Sequence, residues 1–163
     1  MRSLGFLLGL LFSYNVLALD IPDYAVKYDP ARDAAQDLKQ ALADANESQK
    51  LVLIEIGGDW CIWCHRLDKF LHQDESHYKE LTDIFVLMKV NASEENMNES
   101  FLSQFGKIPG YPHLLILAPK GDLLLSKSTS GLEQGESYSI PEFKKFMGEW
   151  RKAREVIFNQ VVE

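Results

Sequence analysis

Four short runs of apolar, largely aliphatic residues divide the chain, and this pattern predicts four strands. They span residues 51–56, 84–90, 114–118 and 123–126. The first run is apolar at every position except Glu55, which is typical of a strand that is buried on both faces. Residues 119–122 read Pro-Lys-Gly-Asp and separate the last two runs, which indicates a β-hairpin.

Apolar residues at helical spacing fill most of the intervals between these runs and predict helices. Asp29 and Pro30 supply an N-cap and a first-turn proline, so we expect the first helix to begin there and to end before a polar loop at residues 46–50. Further helices are predicted after Cys64, over residues 73–81, over residues 92–105 before Gly106, and from Pro141 onward. Residues 19–28 are expected to be extended and residues 128–139 to form a polar loop. The order of elements predicts an α/β fold with a mixed central sheet and helices on both faces.

Composition and charge narrow the class of protein. A chain of 163 residues with 46% apolar content can bury one core of ordinary size. The formal net charge is −7 and the isoelectric point is about 5.1, so nucleic acid is not expected as a partner.

The first 18 residues have the pattern of a secretory signal peptide. Arg2 precedes an apolar run over residues 4–12, and the segment ends in a Val-x-Ala cleavage site at Ala18. The run is shorter than the roughly 20 apolar residues of a membrane span, although an uncleaved anchor or a buried first helix remains an alternative. We therefore expect residues 1–18 to be removed on export and residues 19–163 to form a single domain in an oxidising compartment.

The strongest chemical signal is the pair Cys61 and Cys64, the only two cysteines of the chain. The pair follows the first predicted strand, after Gly57 and Gly58, and stands at the start of a predicted helix. Backbone N–H groups at a helix start favour negative charge, so we expect a lowered pKa for the Cys61 thiol. Cys64 lies one turn later, within reach to form a disulfide with Cys61. The spacing therefore predicts a reactive dithiol.

The two cysteines could also serve as a structural crosslink, a haem attachment site or part of a zinc site. As a crosslink the disulfide would close a very short loop, which contributes only about 2 kcal/mol to stability. The sequence Cys61-Ile62-Trp63-Cys64-His65 also matches the attachment pattern of c-type haem, although haem attachment does not require a buried strand before the motif. A zinc site would need a fourth ligand, and none stands at a standard spacing.

The order of elements and three separated motifs resemble the thioredoxin superfamily over residues 29–154. The first motif is Trp60-Cys61-Ile62-Trp63-Cys64, similar to the W-C-x-W-C form found in exported and cytosolic thioredoxin-like proteins of bacteria. The second motif, residues 107–112, ends in Pro112 just before the hairpin, where the family has a cis-proline. The third is Glu55, six residues before Cys61, where the family often has a buried acid. The resemblance implies a thioredoxin fold.

The resemblance also implies roles for these residues. Cys61 would attack substrate disulfides and Cys64 would resolve the mixed disulfide. Glu55 in an apolar strand is expected to have a raised pKa and to accept the Cys64 proton, although a strand-edge or salt-bridged glutamate is nearly as consistent with the sequence. A cis-Pro112 would place the Tyr111 backbone beside Cys61, where a substrate chain could pair with it, although an ordinary trans turn proline is an alternative. Trp60 and Trp63 would shield the disulfide, although aromatic packing in the core or at its rim explains them equally well.

Two departures from the family pattern bear on specificity. Ile62 and Trp63 replace the Gly-Pro of typical thioredoxins, so the redox potential of this pair is not inferred from the family. Tyr111 is bulkier than the Thr, Val or Ile that usually precedes the proline, so substrate preference does not transfer either.

The sequence predicts a periplasmic thiol-disulfide oxidoreductase, exported across the inner membrane, that needs no cofactor and no metal. Its partners would be protein thiols and disulfides as substrates and a redox partner, for which a membrane-bound protein is one candidate. Asp59 and Glu55 place negative charge near the motif, which disfavours the thiolate and favours reductase over oxidant activity. The alternative is a non-catalytic binding or chaperone-like module that uses the groove near Pro112.

Overall fold

The computed structural model describes residues 21–159. Its helices are α1 Asp23–Val26, α2 Ala34–Ser48, α3 Ile62–His72, α4 Glu75–Ile84, α5 Glu99–Leu102 and α6 Ile140–Asn159. Its strands are β1 Leu51–Gly57, β2 Phe85–Asn91, β3 His113–Leu117, β4 Leu123–Ser128, β5 Glu133–Gln134 and β6 Ser137–Tyr138. Two 3₁₀ helices, Ser103–Phe105 and Thr129–Leu132, follow α5 and β4.

Strands β1 to β4 form one mixed sheet in the order β2-β1-β3-β4. β1 pairs with β2 in parallel and with β3 in antiparallel orientation, and β3 pairs with β4 in antiparallel orientation. Every residue of β1 and β3 is buried, whereas the edge strand β4 is exposed at most positions. All four strands predicted from the apolar runs are confirmed, and so is the hairpin that joins β3 to β4.

Alternate residues of the central strands enter two apolar cores, one on each face of the sheet. Val52, Ile54 and Ile56 of β1 pack with residues of α1, α2 and α5. Leu51 and Leu53 pack with residues of α3, α4 and α6. This arrangement follows from the period of two along a strand, which sends successive side chains to opposite faces. The predicted α/β fold, a mixed sheet with helices on both faces, is confirmed.

The segment before β1 differs from the prediction in two ways. Residues 19–28 were expected to be extended, but a short helix, α1, forms within them. α2 begins at Ala34 rather than at Pro30, because the Asp33 carboxylate accepts the backbone N–H groups of Ala35 and Gln36. Asp29 instead accepts the N–H of Ala31 in a turn.

The helix predicted over residues 92–105 is wrong for its first half. Asparagine side chains hold this segment as a loop: Asn98 donates to the Asn91 carbonyl oxygen, and Asn91 donates to Ser93 Oγ and to the Asn96 carbonyl oxygen. Asparagine competes with helical hydrogen bonding in this way because its amide reaches nearby backbone groups. Only α5 and the following 3₁₀ turn are helical.

Residues 128–139 contain more regular structure than the polar loop that was predicted. The 3₁₀ helix Thr129–Leu132 leads into the small β5–β6 hairpin, which brings Tyr138 into the core beside α3. The predicted signal peptide, residues 1–18, lies outside the described residues. No helix within residues 21–159 combines the length and the hydropathy of a membrane span.

Candidate active site

The turn from β1 into α3 gives Cys61 the position of a helix N-cap. The N–H of Cys61 donates to the Gly58 carbonyl oxygen at 2.9 Å, and the helix begins at the next residue, Ile62. The backbone N–H of Cys64 points back to the sulfur of Cys61, with nitrogen and sulfur 3.2 Å apart. An N–H group directed at this sulfur stabilises negative charge there. The prediction that Cys61 stands at a helix start is thus confirmed.

Cys61 and Cys64 form a disulfide, with their Cα atoms 5.2 Å apart. Cys61 is 4% exposed and Cys64 is 1% exposed, so Cys61 is the more accessible of two buried residues. Both pack against the ring of Tyr28 in a small cluster of their own, and the half-buried side chains of Trp63 and Tyr111 cover the cluster. The disulfide is therefore embedded in aromatic side chains.

Glu55 is buried in the middle of β1, as the apolar run predicted, and the Tyr28 hydroxyl donates a hydrogen bond to its Oε1. Burial raises the pKa of the Glu55 carboxyl above its ordinary value, because the charged form loses its water. The positive charge of Lys89 and the Tyr28 hydrogen bond offset part of this shift, while Asp68 adds to it.

Lys89 stands opposite Glu55 in the register between β1 and β2. Its ammonium group is 2.7 Å from Asp68 Oδ1 on α3 and 5.2 Å from the centre of the Tyr28 ring. The Lys89 ammonium group, which stands opposite Glu55, therefore also pairs with Asp68 and lies over the face of the Tyr28 ring. The site thus contains a buried acid, a tyrosine and an ion pair behind the disulfide.

Tyr111 and Pro112 lie immediately before β3, and the peptide bond between them is cis. Tyr111 packs against the disulfide cluster. The ring of Trp60 meets the ring of Tyr111 edge-on, with centroids 5.3 Å apart, and the Trp60 indole N–H donates to the Ala92 carbonyl oxygen at 3.0 Å. The structure therefore brings together all six residues singled out from the sequence, which are Glu55, Trp60, Cys61, Cys64, Tyr111 and Pro112.

The second tryptophan of the motif, Trp63, packs both against the disulfide cluster and against the core that contains α3, α4 and α6. Its ring lies edge-on to Tyr138 at 5.8 Å, and the Arg66 guanidinium stands 4.5 Å from the ring centre. His65 is exposed and its Nε2–H donates to the Asp59 carbonyl oxygen at 2.7 Å, so its ring is held at the surface of the turn. Within residues 21–159, no group of three or more His, Cys, Asp and Glu side chains is arranged to hold a metal.

Sequence reasoning missed Tyr28 and Lys89. Lys89 gave a weak signal, since it is the one charged residue in the second apolar run, as Glu55 is in the first. Tyr28 gave none: it stands in a segment without helical or strand periodicity, 27 residues before its hydrogen-bond partner. Only the folded chain brings it to the cysteines.

The chain is similar in sequence to known proteins. A sequence profile of thioredoxin-like proteins matches residues 33–119, which is more than half of the chain. The thiol:disulfide interchange protein DsbD of Pseudoalteromonas atlantica is 23% identical over 103 residues, covering 63% of this chain and 17% of that protein. The chain thus spans less than a fifth of the length of this relative.

Solved structures are similar in fold. A disulphide isomerase from Xylella fastidiosa Temecula1 aligns with a TM-score of 0.65 and 23% identity over 81% of this chain and 98% of that one. The C-terminal domain of DsbD from Neisseria meningitidis, in its oxidised form, aligns with a TM-score of 0.50 and 17% identity over 75% of this chain and 96% of that one. The matched profile, the mixed sheet and the Cys-x-x-Cys pair at the start of α3 lead to one conclusion: the chain belongs to the thioredoxin-like family.

Proposed function

We propose that this protein is a thiol-disulfide oxidoreductase that exchanges electrons with protein cysteines through Cys61 and Cys64. The observation on which this rests is the Cys61–Cys64 disulfide at the N-terminus of α3, in contact with Tyr111 and backed by the buried Glu55. A thiol:disulfide interchange protein among its relatives supports the same chemistry.

In the proposed reaction the Cys61 thiolate attacks a substrate disulfide, forms a mixed disulfide and releases one substrate thiolate. The Cys64 thiol then loses its proton and attacks Cys61 Sγ, so that the second substrate sulfur leaves as a thiolate. This step oxidises the two cysteines to the disulfide and reduces the substrate by two electrons. Glu55 is the proposed acceptor of the Cys64 proton, because its raised pKa makes its carboxylate a stronger base than an ordinary glutamate.

The exposed surface beside Cys61 is the proposed docking site for the substrate chain. Trp60 and Ile62 expose 58% and 61% of their surface on either side of Cys61, and Tyr111 stands against Trp60. An extended substrate segment would pair with the backbone of Tyr111 and contact Trp60 and Pro112 with its side chains.

We favour reduction over oxidation as the direction. Strong oxidants of this fold have an attacking thiol with a pKa of about 3.5, whereas thioredoxin has one of about 7. Here one N–H contacts the Cys61 sulfur, while Lys89 is paired with Asp68. We therefore expect a Cys61 pKa nearer 7, and ultraviolet titration of the thiolate in the reduced protein measures it; a value below about 5 would indicate an oxidant.

Export to the periplasm, with a redox partner that keeps the dithiol reduced, is the proposed setting. It rests on the signal-peptide pattern of residues 1–18, and a membrane-bound protein is the proposed partner because a free dithiol in an oxidising compartment needs a supply of electrons. Mass spectrometry of the secreted protein should give Leu19 as the first residue. A protein that stays in the cytoplasm with Met1 retained would contradict this setting.

Reduction of insulin by the dithiothreitol-coupled protein tests the proposed activity, and trapping tests the roles of the cysteines. Cys64→Ser should accumulate mixed disulfides with substrate proteins through Cys61, and Cys61→Ser should accumulate few. The reverse pattern would exchange the two roles. An insulin rate at background for the folded, reduced wild-type protein would instead favour the non-catalytic binding module.

A further inference from the structure

We infer that the hydroxyl of Tyr28 is the proton relay between the Cys64 thiol and the Glu55 carboxylate. This inference rests on the proposed function and adds to it a residue that lies outside the Cys-x-x-Cys motif. Tyr28 is buried, its hydroxyl donates to Glu55 Oε1, and its ring packs directly against the cysteine pair. The Tyr28 hydroxyl thus contacts the proton acceptor, and the Tyr28 ring packs against the residue that supplies the proton.

Gly57 shows how near the Tyr28 hydroxyl comes to the resolving sulfur. A Cβ atom built on Gly57 would collide with Cys64 Sγ and would also stand 3.0 Å from Tyr28 Oη. The sulfur and the hydroxyl oxygen therefore border the same small volume, which only a residue without a side chain leaves open. This volume is at the C-terminal end of β1, two residues after Glu55.

Burial and the neighbouring Glu55 charge favour the neutral form of the Tyr28 hydroxyl. Burial and the neighbouring Glu55 charge raise the pKa of the phenol well above its ordinary value, with smaller contributions from Asp68 and Tyr138. A phenol that does not ionise cannot act as a base by itself. It can accept one proton only as it donates another, which is the behaviour of a relay.

The other polar groups near Glu55 are already engaged. Lys89 approaches the face of the Tyr28 ring rather than its hydroxyl, and its ammonium is paired with Asp68 at 2.7 Å. Asp68 itself is half exposed on α3. The direct hydrogen bond to Glu55 Oε1 therefore comes from Tyr28 and not from this ion pair.

In the proposed step, one disulfide bond forms, another breaks, and two protons are transferred. As Cys64 Sγ bonds to Cys61 Sγ, the bond between Cys61 and the substrate sulfur breaks, and its electron pair leaves with the substrate thiolate. The Cys64 thiol proton passes to Tyr28 Oη, and the Tyr28 hydroxyl proton passes to Glu55 Oε1. Glu55 ends as a neutral carboxylic acid and Tyr28 ends unchanged.

Tyr28→Phe tests the relay because it removes the hydroxyl and keeps the ring in the disulfide cluster. Tyr24→Phe is the matched control: Tyr24 is also buried and its hydroxyl also donates to a carboxylate, that of Asp44, but it packs in the core that contains α2 and not against the cysteines. Reaction of each reduced protein with a chromogenic aryl disulfide, followed by stopped flow, separates the attack by Cys61 from the resolution by Cys64.

We expect Tyr28→Phe to slow resolution at least about tenfold, since a positioned proton-transfer group commonly contributes about 10²–10⁴-fold. Attack by Cys61 should be unchanged, and Tyr24→Phe should leave both phases unchanged. In a Glu55→Gln background Tyr28→Phe should add no further loss, because the relay then has no acceptor. Resolution by Tyr28→Phe at the Tyr24→Phe rate, with the same pH profile, would overturn the inference.

A second measurement uses the wild-type protein and does not depend on any variant folding. With tyrosine labelled at Cζ, the resonance of Tyr28 in the reduced protein should titrate with Glu55 and with Cys64, while that of Tyr24 should follow neither. A Tyr28 resonance that ignores both groups would also overturn the inference. The aryl disulfide needs no protein substrate, so a protein that shows this coupling but does not reduce insulin would contradict the proposed function alone.

Discussion

The ring of Trp60 lies edge-on to the ring of Tyr111, with centroids 5.3 Å apart and planes at 84°. The contact joins the residue before Cys61 to the residue before cis-Pro112, so one aromatic pair links the two segments on which the proposed docking site depends. The hydrogen bond from the Trp60 indole to Ala92 fixes the outer end of the pair. The bulky Tyr111, a departure from the family pattern, therefore has a partner in Trp60.

Trp60→Ala should impair the reduction of a protein disulfide more than that of a small disulfide. We expect Trp60→Ala to cost about 1–1.4 kcal/mol of substrate binding, which is a loss of about fivefold to tenfold in kcat/KM for insulin. The rate with oxidised glutathione should change less, since a tripeptide offers little of the extended chain that the proposed docking site would bind. Steady-state assays with both substrates measure the loss in kcat/KM on insulin relative to the loss on glutathione.

The control for this prediction is Val156→Ala, which removes an exposed apolar side chain from α6. It should leave both rates unchanged. Equal losses on insulin and glutathione in Trp60→Ala would show that the ring supports the disulfide itself rather than docking.

Gly57→Ala should destabilise the oxidised protein by about 1–3 kcal/mol, the usual cost of forcing an extra methyl group into a packed core. The added Cβ would meet Cys64 Sγ and Tyr28 Oη, and both of these residues are buried and closely packed. Thermal or urea unfolding of the oxidised proteins measures the difference. Gly148→Ala, whose Cβ meets no atom within 4 Å, should be neutral or mildly stabilising because alanine favours a helix.

The sheet and the cysteine site could be predicted from sequence because both depend on local pattern. Continuous apolar runs specify strands buried on two faces, and the break at Gly57 and Gly58 marks the turn that makes Cys61 an N-cap. The identity and spacing of Cys61 and Cys64 then fix a disulfide across one helical turn. None of these features requires knowledge of distant contacts.

The parts that sequence reasoning missed depend on long-range contacts. The segment from Asn91 to Asn98 has helical composition, but the Asn98 side chain donates to the Asn91 carbonyl oxygen and stabilises a loop. The Asn96 side chain donates to the Pro30 carbonyl oxygen and joins this loop to a distant part of the chain. Tyr28 contacts the cysteines only after the segment before α2 has folded against the end of β1. Local periodicity contains no information on such partners, because side-chain hydrogen bonds between distant residues follow from tertiary packing.

Glu55→Gln should stabilise the protein at neutral pH, and the gain should depend on pH. Because the folded pKa of Glu55 lies above the ordinary value of 4.5, the unfolded chain loses this proton first as the pH rises. The wild-type free energy of unfolding therefore falls from about pH 4.5 upward until the folded pKa is passed, while the glutamine side chain of the variant does not titrate. Urea unfolding across this range measures the difference between the two proteins.

The matched control is Glu149→Gln, which makes the same substitution at an exposed position of α6. A difference in the free energy of unfolding between Glu55→Gln and the wild type that is constant with pH would contradict the prediction.

His113, the residue after cis-Pro112, is buried with only one of its ring nitrogens bonded. Nε2 stands 2.8 Å from Ser126 Oγ on β4, and within residues 21–159 Nδ1 has no hydrogen-bond partner. Burial lowers the pKa of the imidazole below its ordinary value of 6.5, because the charged ring loses its water. The fold therefore favours the neutral form of His113.

A neutral, buried His113 should make the protein less stable as the pH falls below about 6.5, since the unfolded chain takes up a proton that the folded imidazole resists. His113→Gln keeps a group that can bond Ser126 and cannot be charged, so it should remove this part of the acid sensitivity. Urea unfolding of both proteins between about pH 7 and pH 5 measures it. His72→Gln, which makes the same substitution at the exposed end of α3, is the matched control. If His113→Gln retained the wild-type dependence on pH, the acid sensitivity would come from other groups. The His113 Nδ1 atom, which has no hydrogen-bond partner within residues 21–159, would then have no effect on the free energy of unfolding in this pH range.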